Sequence, residues 1–80
     1  MFHVMVVRLS GRMQHAAGVQ EVLTKHGCSI KTRLGLHEAG GVCANDGLMI
    51  LQLTDDDAEN KVLDAELNAI EGVTAKMLSL

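Results

Sequence analysis

Hydrophobic and polar positions along the chain change period several times, and each change marks an element. The run FHVMVVRL, Phe2 to Leu9, is short and rich in β-branched residues, which predicts a strand. From Arg12 to His26 the apolar residues Met13, Ala16, Ala17, Val19, Val22 and Leu23 recur every three or four positions, the spacing of an amphipathic helix. Ser10 is placed to cap its start, and Gly27 to end it in a left-handed conformation. CSIKTRLGL, Cys28 to Leu36, alternates. Cys28, Ile30, Thr32 and Leu34 are expected on one face, and Ser29, Lys31 and Arg33 on the other. Gly35 suggests a bulge or a close backbone approach. LMILQL, Leu48 to Leu53, is nearly all apolar and reads as a central strand covered on both sides.

The clearest helix begins after Thr54. Asp55, Asp56 and Asp57 complement the dipole at its start, and Asp56 with Glu59 has capping-box spacing. Ala58, Val62, Leu63, Leu67 and Ile70 form its expected buried stripe, Gly72 ends it, and Val73 to Leu80 is a final strand. Residues 1–80 therefore read as one α+β domain of ferredoxin-like βαββαβ order. Four antiparallel strands would form one sheet with both helices on one face.

Two helices cover one face of such a sheet, yet the strands carry apolar residues on both. Phe2, Val4 and Val6 alternate with Met5, Val7 and Leu9, and Leu48 and Ile50 alternate with Met49, Leu51 and Leu53. Whichever set faces the helices, the other leaves an aliphatic patch on a small domain, which points to a homo-oligomer, a dimer or tetramer.

Composition narrows the function classes. The chain is 48% hydrophobic and 21% charged, so it is globular, and its one aromatic residue, Phe2, leaves an aliphatic core. The formal net charge of −3, with scattered Lys and Arg, lacks the basic patch of a nucleic-acid surface. A sheet that reads RNA would also need stacking aromatics. No apolar run reaches spanning length, and the first residues lack the basic start of a signal peptide. Cys28 and Cys43 form no CxxC pair, which fits free thiols in a reducing cytoplasm.

Candidate chemistry gathers in HEAGGVCANDG, His37 to Gly47. Imidazole and thiolate suit zinc, nickel or copper, so His37 and Cys43 form a candidate metal pair, with Glu38 or Asp46 able to add oxygen. The spacing matches no standard zinc motif. A cysteine nucleophile would need a base and an orienting third group, and the sequence offers no third group. The glycines precede a strand rather than a helix, which separates them from phosphate loops, and Asn45-Asp46-Gly47 reads as a turn. Lys31 and Arg33 place two cations on one strand face. No paired catalytic groups appear, so the reading is non-enzymatic, with no identified cofactor.

Across IKTRLGLHE, GLMILQL and LNAIEGVTAKML the chain resembles the small ACT-like proteins known as iron-only hydrogenase system regulators. The resemblance rests on Arg33-Leu34-Gly35, the apolar strand Leu48 to Leu53, and Ile70, Gly72, Val73 and Lys76. It implies an ACT-like ferredoxin fold that assembles through its sheets. More distantly it is similar to the nickel-sensing domain of the nickel-responsive repressor, in which histidines and a cysteine hold metal between subunits. The reading adopted is a regulatory module that binds a small effector at a subunit interface lined by loop 37–47, with Arg33, Gly35, His37 and Glu38 as candidate ligand-binding residues.

Overall fold

A computed structural model describes the backbone of residues 1–10, 12–36 and 47–80, and the side chains of these except residues 12–16 and 36. The elements run β1 (His3–Leu9), α1 (Arg12–Lys25), a 3-10 turn (Gly27–Ser29), β2 (Ile30–Leu36), β3 (Gly47–Leu53), α2 (Asp57–Asn68) and β4 (Val73–Ser79). All strand pairs are antiparallel, in the order β2-β3-β1-β4. This is the ferredoxin-like α+β arrangement, with the two most apolar strands, β1 and β3, in the centre.

One sheet face carries the core. Met5, Val7 and Leu9 of β1, Met49, Leu51 and Leu53 of β3, and Val73 and Ala75 of β4 are buried against Val19 and Leu23 of α1 and Leu63 and Leu67 of α2. The alternation makes this possible, because residues two apart on a strand share a face. α2 starts as its sequence suggests: Asp56 is the N-cap, and its carboxylate accepts from the Glu59 backbone N–H at 3.1 Å.

Several expectations need correction. Ala58 and Val62 are exposed, and the buried stripe of α2 instead includes Asn60. The Asn60 Nδ2 donates to the Thr54 carbonyl at 2.8 Å, so this amide anchors the β3–α2 connection from inside the core. Gly27 is not left-handed; Gly72, with φ 82°, is the one positive-φ glycine among the described residues. α1 ends because the Ser29 N–H turns back onto the His26 carbonyl at 2.9 Å and closes the 3-10 turn.

The largest correction concerns β2. Ile30 pairs with Leu53 but Thr32 pairs with Gln52, so an irregularity at Lys31 interrupts the register. One extra residue inverts the alternation beyond it. Arg33 and Gly35 therefore lie on the helix-bearing face, opposite Leu51 and Met49, while Thr32 and Leu34 lie on the open face. A side chain at Gly35 would meet open space, so neither a bulge nor a close approach requires glycine there.

Candidate functional site

Two ends of the sheet concentrate polar residues. At the first, Leu9 is paired with both Gly47 and Val73, and the Ser10 N–H donates to the Gly72 carbonyl at 2.7 Å. The start of β3, the end of β1 and the turn before β4 therefore meet. β2 also finishes at this end, with Leu36 opposite Leu48. The connection 37–46 leaves and re-enters the sheet here. His37, Glu38 and Cys43, together with Asn45 and Asp46 of the expected turn, lie outside the described residues. Arg33 and Gly35 lie on exposed edge strand β2 just before it. The Arg33 Nη1 donates to the Gln20 Oε1 at 3.1 Å, which ties this cation to α1. Lys31 falls at the irregularity, so the two cations do not form the regular pair that simple alternation implies.

The opposite end holds two buried histidines that local sequence pattern did not single out as sites. His3 on β1 places Nδ1 2.8 Å from the Ser79 Oγ and Nε2 3.1 Å from an Asp55 carboxylate oxygen. The hydrogen bond with Ser79 ties β1 to β4, and the Nε2 contact brings the ring within ion-pair distance of Asp55 in the connection before α2.

His26, just after α1, is held differently. Its Nε2 faces Glu66 on α2 in a short hydrogen bond, and its Nδ1 lies 3.3 Å from a Glu59 carboxylate oxygen. The Lys25 Nζ reaches the other Glu66 oxygen at 2.5 Å. The Lys25 hydrogen bond first, and the His26 hydrogen bond second, hold the Glu66 carboxyl below the ordinary glutamate range. Beside this cluster an open groove of about 340 Å³ runs between the helices, lined by Glu21, Val22, Lys25, Glu66 and Ala69. Among the described residues, no three His, Cys, Asp or Glu side chains form a metal-holding group.

The open face of the sheet carries exposed and half-exposed aliphatics among the described residues. Across the strands, Leu34, Ile50 and Val6 form one row ending at Lys76, and Thr32, Gln52, Val4 and Leu78 form the next. Leu48 lies beside them. Leu34, Leu48 and Leu78 are 51%, 39% and 48% exposed, well above the residues of the opposite face, which makes this an apolar surface in water.

No protein-family model matches the chain, and no curated protein matches its sequence. Solved structures do match. The uncharacterized protein TM1266 from Thermotoga maritima superposes with a TM-score of 0.85 at 24% identity, over 99% of this chain and 95% of that one. The crystal structure of the ACT domain from the GTP pyrophosphokinase of Chlorobium tepidum superposes with a TM-score of 0.72 at 15% identity, over 98% and 97%. Its solution structure gives 0.71 at 16% identity, over 100% and 88%. The fold is ACT-like. At these identities the likeness concerns architecture alone. No helix among the described residues is long and apolar enough to cross a membrane.

Proposed function

We propose that this ACT-like chain is a non-enzymatic regulatory module that works as a homo-oligomer and senses a small effector. The observation that carries the reading is the open sheet face, where Val4, Val6, Leu34, Leu48, Ile50 and Leu78 meet water. Burying such aliphatics in a second copy contributes roughly 25 cal/mol per Å² of apolar surface. The edges are poorer association surfaces. β2 is interrupted at Lys31 and carries Arg33, and charges and bulges both discourage strand addition. On β4, the Asn68 side chain occupies both backbone groups of Ala75: its Oδ1 accepts from the N–H at 2.8 Å and its Nδ2 donates to the carbonyl at 3.1 Å. An incoming strand would have to displace it.

The effector would sit at the end of β2 that carries Arg33 and Gly35 and leads into the connection 37–46, and the two subunits would respond by changing their mutual arrangement. A ligand shifts such an equilibrium only through different affinities for the two arrangements. The test combines thermal stability and mass measurement across amino acids, nucleotides and divalent metals. The reading expects one organic effector to raise the melting temperature of the oligomer, with the gain reduced in Arg33→Ala and His37→Ala. Stoichiometric metal lost in both His37→Ala and Cys43→Ala, with no organic ligand, would replace this reading with a metal-binding role.

A further inference from the structure

The free edge of β4 is closed along its first half and open along its second. Phe2 and Leu80 exchange both backbone hydrogen bonds, at 2.7 and 2.8 Å. Such pairs alternate along an antiparallel ladder, so Leu78, Lys76 and Thr74 also bond to β1. Val73, Ala75, Met77 and Ser79 therefore direct their N–H and C=O groups away from β1, towards the edge. The first two are occupied. The Val73 N–H donates to the Ile70 carbonyl at 3.1 Å, and Asn68 holds both groups of Ala75. Met77 and Ser79 have no such backbone partner at the edge among the described residues.

Exposed apolar surface gathers at the same corner. Phe2, Leu78 and Leu80 are 63%, 48% and 77% exposed, and by the alternation of β1 and β4 they belong to the open face. Unpaired edge backbone flanked by apolar side chains is where a further strand adds to a sheet. The corner is also self-complementary. A two-fold axis at Leu78 sets Met77 of each copy opposite Ser79 of the other. Both pairs then exchange N–H···O bonds, and the two copies of Leu78 meet between them. Shifting this register by two residues one way runs it into Ala75, which Asn68 occupies. The opposite shift carries Met77 past the end of β4.

We infer that the second half of β4 pairs antiparallel with the same segment of another copy, joining two four-stranded sheets edge to edge. The inference rests on the proposed homo-oligomer and sets its order: open faces join copies in pairs, and β4 edges join two pairs into a tetramer. Closure places the β4 edges of two stacked sheets on the same side. Met77 and Ser79 make a short ladder, so the edge holds only copies that the faces have already brought together. Each stacked pair presents two such edges, and the first contact makes the second intramolecular. Asn68 limits the ladder to these residues and keeps the rest of the edge from adding strands.

The experiment is oxidative cross-linking by copper phenanthroline in the full chain carrying Cys28→Ser and Cys43→Ser. Residues of a non-hydrogen-bonded antiparallel pair stand about 4.5 Å apart at Cα, within the span of a disulfide. Leu78→Cys should therefore form a disulfide-linked dimer, about tenfold faster than Thr74→Cys on the same strand face. Sedimentation velocity of the parent chain should give a tetramer. Ser79→Pro removes an N–H that points to the edge, and should reduce the tetramer to a dimer and abolish the Leu78→Cys link. Ser79→Ala keeps that N–H and loses only the side-chain bond to His3, so it should remain a tetramer. Cross-linking decides the matter if the Ser79→Pro variant does not fold. Equal rates at positions 74 and 78, or a folded Ser79→Pro tetramer, overturns the inference. A parent chain that stays a dimer overturns it and leaves the face-to-face reading standing, whereas a monomer removes both.

Discussion

Single residues settle where polar groups enter an aliphatic core. Asn60 is fully buried, and its amide supports the Thr54 carbonyl just before the N-cap of α2. Asn60→Ala would remove that bond and open space in the core. The expected cost is about 1–3 kcal/mol, read as a lower midpoint in urea unfolding with an unchanged slope. Leu63→Ala, at a fully buried position, should cost more, roughly 2–5 kcal/mol in the same measurement. Glu66 makes stability depend on acid. Its carboxyl titrates lower in the folded protein than in the unfolded chain, because Lys25 and His26 favour the charged form. The contribution is therefore fully present above the unfolded glutamate value of about 4.3 and is lost as pH falls through the lower folded value. Glu66→Gln should flatten the acid limb of the stability profile, and a limb as steep as that of the parent protein would contradict this. The sequence did not reveal these roles. Asn60 looks like a polar interruption of an apolar stripe, and His26 meets Glu66 across 40 positions of chain. Local periodicity carries no trace of either pairing.

Elements were more legible, since period and end signals are local. β1, β3, α2 and β4 lie where alternation, the apolar run and the Asp56 cap place them. The errors arose where an element departs from its own period. Nothing in CSIKTRLGL marks Lys31 as the extra residue, because no Gly or Pro stands there, and one such residue reverses every side chain beyond it. The residues named for the candidate site divide on the same line. Arg33 and Gly35 lie on a described strand and their faces are known, whereas His37, Glu38 and Cys43 belong to a connection without a repeating pattern. At α1 the helix geometry gives a direct test. A side chain at Gly18 would touch the Ile70 Cδ1 at 3.7 Å, an ordinary contact. Gly18→Ala should therefore stabilise the protein by about 0.5–1 kcal/mol through backbone entropy alone, seen as a higher melting temperature. A loss of stability would show that α1 packs more tightly against Ile70, just beyond α2.

At the scale of the whole molecule, one sheet has two faces, and the two described helices cover one of them. The helix-bearing face holds a closed aliphatic core, and the other presents aliphatics at half exposure. That imbalance is visible in the sequence because β1 and β3 are apolar at successive positions rather than alternate ones. It is the physical basis for the proposed homo-oligomer. A carboxylate on the open face would have to be buried unpaired in a face-to-face assembly. Ile50→Glu should thus dissociate it while leaving the helical circular dichroism intact, whereas Thr74→Glu, at the rim of β4, should have a much smaller effect. The central claim is tested most directly by sedimentation velocity of the unmodified chain from low to high micromolar concentration. The account expects the mass of a dimer or tetramer that falls to the monomer in Ile50→Glu. A monomer throughout the range would contradict it.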